Sequence, residues 1–216
     1  MALHTFRPDG EYITEINYNG DFDATDLNLI AAVNSSRIRG LVGVNNAGTP
    51  LTQYDMRADG IVLQSPTGTQ LPLVRTQTSF LTNNISTAGP VRGGRDQSAA
   101  FSANSWIHFY FVWNGTSLAT LSSAVAPPPG PTLPSGDRLW AYATSRRLNA
   151  STQLIFAYER GSWVRYQTRQ EVVTAGGATS EQAVSLTTVV PPTALQIEVE
   201  MVANVGTNSS GSAHSD

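Results

Sequence analysis

The chain contains no lysine and no cysteine, and all thirteen of its basic residues are arginine. The first absence excludes Schiff-base catalysis and the phosphate-binding lysine of Walker-type sites. The second excludes a thiol nucleophile, disulfides, iron–sulfur clusters and thiolate zinc sites. Charge is also scarce: Asp, Glu, Lys and Arg make up 13% of 216 residues, against roughly 25% in an average globular protein. The net charge of −3 offers no counterion-release drive toward nucleic acid, so no nucleic-acid partner is expected. No apolar run approaches the ~18 residues that would span a bilayer, and no membrane insertion is expected. Met1 to Asp9 lacks the basic start and apolar core of a signal peptide.

What the chain has in quantity is Ser, Thr, Asn, Gly and Pro, together 87 of 216 residues, beside a 40% apolar content. Polarity therefore comes from hydroxyls and amides, and the apolar share still supports a core. The dominant hydrophobic period is two. Trp106 to Trp113 is the clearest strand, bulky on both faces and so expected at a sheet centre. Asn114-Gly115 predicts a hairpin turn, because both residues tolerate positive φ, with a return strand over Ser117 to Ala124. Ala126 to Pro131 reads as an extended, proline-rich crossing, and Leu133 to Asp137 as a turn. Leu139 to Ser145 alternates again, and Gln153 to Glu159 with Ser162 to Thr168 reads as a hairpin. Strands are also expected at Leu27 to Val33, Ile38 to Val44, Gly60 to Gln64, Ala183 to Val190 and Leu195 to Ala203. In the last of these, Leu195, Ile197, Val199, Met201 and Ala203 alternate with polar residues. About ten to twelve short strands with turns every 8–12 residues predict an all-β fold, an antiparallel β-sandwich or jelly roll with little helix. Its expected extent is residues 26–203, after an N-terminal docking arm over residues 1–25 and before a flexible C-terminal tail over residues 204–216.

Few residues carry chemistry. Of three histidines only His108 lies inside the expected sandwich, between aromatics, where a hydrogen-bonded core or groove histidine is the simplest reading. There is no Gly-x-Ser-x-Gly elbow for a Ser–His–acid triad. Glu198 and Glu200 would stand about 7 Å apart on one strand face, as paired carboxylates of a glycan hydrolase could, but they occupy the outward face of a regular strand and read as a solvated edge. Asp21, Asp23 and Asp26 miss the EF-hand pattern. Gly89 to Gly94 is a glycine-rich loop without the lysine or strand–helix frame of a phosphate site. No catalytic residue, metal or cofactor is expected. The best candidate interaction surface is Trp140, Tyr142, Arg146 and Arg147, in which aromatics alternate with small residues and lead into bidentate donors. Such a patch suits a glycan or a subunit contact.

From Leu81 onward the order of signals is distinctive. Gly93-Gly94-Arg95-Asp96 precedes a strand opening Ser105-Trp106-Ile107-His108-Phe109-Tyr110. Pro131-Thr132-Leu133-Pro134-Ser135-Gly136 leads into the strand from Trp140 to Arg147. A hairpin around Arg160-Gly161 and then Val189-Val190-Pro191-Pro192 follow. Over roughly Asp26 to Val205 this resembles a β-sandwich domain family of tailed-bacteriophage virion proteins, found in and around tail fibres. The resemblance implies a non-catalytic virion structural protein, tail-associated and contributing to host attachment or tail assembly. It implies assembly in the bacterial cytoplasm and partners among other virion proteins and copies of itself, a homotrimer by analogy with the symmetry of such attachment sites. A capsid decoration or head-fibre protein is the alternative that the short chain favours. A glycan-binding module or glycan hydrolase of a tail spike is another, with a host surface glycan as partner.

Overall fold

The computed structural model describes residues 38–66, 73–170, 172 and 183–198. The fold is all-β and antiparallel, with nine strands and no helix among the described residues. The strands are β1 (Ile38–Arg39), β2 (Val42–Asn45), β3 (Gln53–Leu63), β4 (Leu73–Asn84), β5 (Trp106–Trp113), β6 (Leu118–Ser123), β7 (Leu139–Arg147), β8 (Ala157–Arg160) and β9 (Trp163–Tyr166). They form two sheets. The large one runs β4-β3-β2-β8-β9, with the short β1 paired to β3 on the same side as β2. The small one runs β6-β5-β7. A pair of backbone hydrogen bonds between Gln64 and Trp140, 2.8 and 2.9 Å, joins the two at one corner.

The expected central strand is central. Ile107, Phe109 and Phe111 of β5 face a core shared with Tyr54, Met56, Ile61 and Leu63 of β3, so that core lies between the sheets. Tyr110 and Val112 face the other way and are also fully buried, against Leu121 and Trp140. Burying such side chains contributes about 1.5–3 kcal/mol each. The glycine-rich loop is held by Arg95, whose guanidinium donates to the carbonyls of Ile85 and Ser98, both at 2.9 Å. It leans on β6 through a parallel bridge, Ser122 N–H to Gly94 and Asp96 N–H to Ser122.

Several expectations change in detail. The Asn114 turn is a four-residue loop, with Trp113 opposite Leu118. Only Gly115 takes positive φ there; Asn114 acts through its side-chain oxygen, which accepts from the amides of Thr116 and Ser117 at 2.9 Å. Pro127 to Pro129 form a turn rather than an extended run. Gly40, at φ +63°, divides the expected Ile38 to Val44 strand into β1 and β2. Strand β4 and the first half of β3 carry too many polar residues to stand out by period, and the sequence reading passes over them.

The expected strand Ala183 to Val190 is absent, as is the described part, Leu195 to Glu198, of the strand expected at Leu195 to Ala203, of which residues 199–203 lie outside the described residues. Residues 183–198 form no strand, and Leu195 is 99% exposed. Alternation specifies a strand only where a sheet edge accepts it. Here the carbonyls of Thr187, Val189 and Pro191 accept from the Trp106 indole, the Tyr166 hydroxyl and the Ala194 amide. The arm (1–25), the Leu27 to Val33 strand, Asp21, Asp23 and Asp26, Glu200 and the tail (204–216) lie outside the described residues.

Candidate functional site

The four residues expected to share a surface do not. Phe109 pairs with Thr144 and Tyr110 with Tyr142, so Ala143 is an extra residue in β7, a β-bulge. A bulge exchanges the faces of everything beyond it. Trp140 and Tyr142 before it share the outer face of the small sheet with Ser145 and Arg147 after it, while Arg146 turns into the core. Trp140 is 3% exposed and Arg146 2%, so neither is available to a partner. Trp140 packs edge-on against Tyr110, ring centroids 5.4 Å apart, and lies beneath Gly130. Arg147 stays on the outer face with its guanidinium 5.8 Å from the Trp106 ring centre.

Residues 187–193 cross the outer face of the small sheet. The Trp106 indole donates to the Thr187 carbonyl at 2.9 Å, and the Tyr142 hydroxyl meets Thr193 Oγ1 at 2.8 Å. Beneath that crossing His108 Nδ1 lies 2.7 Å from Ser145 Oγ, which is 2.8 Å from the Tyr142 hydroxyl and 3.1 Å from Thr193. Burial lowers the His108 pKa to about 4, keeping the imidazole neutral at pH 7. A neutral histidine beside a serine is half of a hydrolytic site. Here, however, the serine hydroxyl is enclosed by Tyr142 and Thr193, and among the described residues no carboxylate orients the imidazole. The cluster therefore fastens the crossing segment to the sheet.

Arg146 joins a second buried cluster, between the sheets. It donates to the Tyr54 hydroxyl, and Tyr54 donates to Glu159 Oε2 at 3.2 Å; Arg146 and Glu159 are 3.9 Å apart. Burial raises the Glu159 pKa to about 7, with Arg146 opposing the shift. Gly43 makes room for this cluster, since a Cβ there would fall 2.0 Å from the Tyr54 hydroxyl.

Among the described residues nothing covers the outer face of the large sheet. Register sets its side chains in rows. In one, Phe80 of β4 meets Arg57 of β3, guanidinium 5.4 Å from the ring centre, and then come Val42, Arg160 and Trp163. In the next, Asp55, Val44, Tyr158 and Arg165 follow in order. Phe80, Tyr158 and Trp163 are 47%, 48% and 56% exposed. The single acid of these rows, Asp55, already accepts from Thr82 Oγ1 at 2.6 Å and Asn46 Nδ2 at 2.8 Å. Among the described residues Arg57, Arg160 and Arg165 have no ion-pair partner. An open depression of about 450 Å³ lies over Val44, Phe156, Tyr158 and Arg165.

No protein-family model, curated protein or solved structure matches this chain. The arginine–aromatic face therefore stands on its own geometry. The sequence reading missed it, although the signal was present: across Tyr158-Glu159-Arg160 and Trp163-Val164-Arg165 every second residue is aromatic or arginine. Among the described residues no group of three His, Asp or Glu side chains is placed to hold a metal. Glu198 is exposed and outside any strand.

Proposed function

We propose that this chain is a non-catalytic structural protein of a bacteriophage virion, tail-associated, working by surface complementarity in attachment or tail assembly. The observation that carries the binding part of this reading is the open face of the large sheet. Arginine, tryptophan and tyrosine are the residues that concentrate binding energy at interfaces, because they offer large rigid areas and directed donors. Here they sit in register on a rigid sheet, with the positive charge concentrated in a chain whose net charge is −3. The virion setting is supported by the resemblance of the Trp106 and Trp140 strands and the turn between them to tail-fibre sandwich domains. Copies of the same chain and other virion proteins are the partners it calls for.

Immunogold electron microscopy of purified virions, with antibody against this chain, tests the setting. Gold at the tail tip is the expected result. Gold over the head would replace the tail assignment with capsid decoration. Absence of gold from both intact and disrupted particles would overturn the virion reading.

A further inference from the structure

We propose that the open arginine–aromatic face is covered by the N-terminal segment, residues 1–37, of the same chain. The inference uses the face described above but does not depend on the virion setting.

Three observations carry it. The first is charge. The two rows present Arg57, Arg160 and Arg165, and their one acid, Asp55, is already hydrogen-bonded, while the other acid of β3, the exposed Asp59, lies outside the rows beside Gly40. Residues 1–37 hold six of the sixteen acids of the chain (Asp9, Glu11, Glu15, Asp21, Asp23, Asp26) and two arginines (Arg7, Arg37), so 2 − 6 leaves −4. Carboxylates accept bidentate hydrogen bonds from guanidinium groups, the strongest such pairing side chains make.

The second is apolar content. The acids are interleaved with aromatics, as in Glu11-Tyr12 and Asp21-Phe22-Asp23. Such a segment can lay rings beside Phe80, Tyr158 and Trp163 while its carboxylates meet the arginines between them.

The third is attachment. The segment runs directly into β1, where Ile38 pairs with Ile61 of β3 in this same sheet. Five strands at about 4.8 Å spacing make a face roughly 19 Å wide, which about six extended residues cross. A segment of 37 residues has ample reach. A short tether also raises the effective concentration to the millimolar range, favouring the chain's own segment over a free one. Any partner docking on the face must first displace the segment.

The test uses the full chain, whose lack of native cysteine allows two to be introduced, Ala24→Cys and Ser162→Cys. Each is labelled with a nitroxide, and the separation is read by pulsed dipolar spectroscopy. A narrow distribution below about 30 Å is expected, given the width of the sheet. It should broaden and lengthen in the Arg57→Glu/Arg160→Glu/Arg165→Glu variant and return when Asp21, Asp23 and Asp26 are changed to Arg in that background. Circular dichroism of the variant checks that the sheets remain folded. A broad distribution in the parent chain would overturn the proposal, as would a short distance that survives the charge reversal. A short distance that vanishes on dilution with unlabelled chain would place the segment on a second copy and overturn the intrachain assignment. The immunogold result is independent of all these outcomes.

Discussion

The two sheets treat their outer faces in opposite ways. The small sheet is covered on both sides: the core lies on one, and the proline-rich connection and residues 187–193 lie on the other. The described residues cover the large sheet on one side only, and its outer face displays arginine and aromatic side chains. The cause lies in the strands. In β5 both residue sets are bulky and apolar, so either face left wet would expose aromatics. In β8 and β9 the outer set is amphipathic, and tyrosine, tryptophan and arginine tolerate water at their polar ends. Aromatic content alone therefore separates display from packing poorly, since Trp140 and Trp163 begin from the same composition and end at 3% and 56% exposure.

That pair gives the largest test. Trp140→Ala should cost about 3–5 kcal/mol by urea unfolding, because it empties a closed site. Trp163→Ala should cost less than about 0.5 kcal/mol. Equal losses would erase the distinction between the faces.

A smaller effect, of order 1–3 kcal/mol, comes from the two titratable groups in closed regions. Glu159 titrates near 7 in the fold against 4.5 ordinarily, so the native state retains a proton and stability falls as pH rises from 4.5 to 7. His108 titrates near 4 against 6.5, so the unfolded chain binds the extra proton and stability rises from pH 4 to 6.5. The slopes oppose each other, and the parent protein should be nearly flat between pH 4.5 and 6.5. Glu159→Gln should uncover the rise and His108→Asn the fall, read as denaturation midpoint against pH. Matching slopes in the two variants would refute the assignment.

The smallest effect is at a turn. Asn114→Ala removes two hydrogen bonds in an exposed loop and should lower stability by about 0.5–1 kcal/mol. A much larger loss would mean that the loop, rather than packing, holds the small sheet together.

The small sheet was the part most legible in the sequence. Trp106 to Trp113, its return strand and the Leu139 strand lie where alternation puts them, the first and last carried by aromatic residues; in the large sheet the expected hairpin is present as β8–β9, with its first strand confined to Ala157–Arg160. Strand β4 was not legible: its sequence LVRTQTSFLTNN is largely polar, and pairing with β3, interrupted by register shifts, defines it. Leu195 to Glu198 shows the opposite error, since regular alternation there meets no sheet edge among the described residues. At the four residues expected to share a surface, alternation did not show the bulge in β7 that turns Arg146 into the core. Trp140 lies on the expected face but is buried beneath Gly130 of the proline-rich connection, which strand alternation does not reveal.

The same bulge places adjacent, chemically identical residues under different selection. Arg147 can drift among polar residues at little cost, whereas Arg146 is tied to Tyr54 and Glu159 and can change only in concert with them. Deleting one residue between 141 and 144 would remove the bulge and restore strict alternation with the same pairing to β5, so Arg146 would stay in the core and Arg147 outside. Among descendants of this sequence, the inward place of Arg146 should therefore outlast the bulge itself.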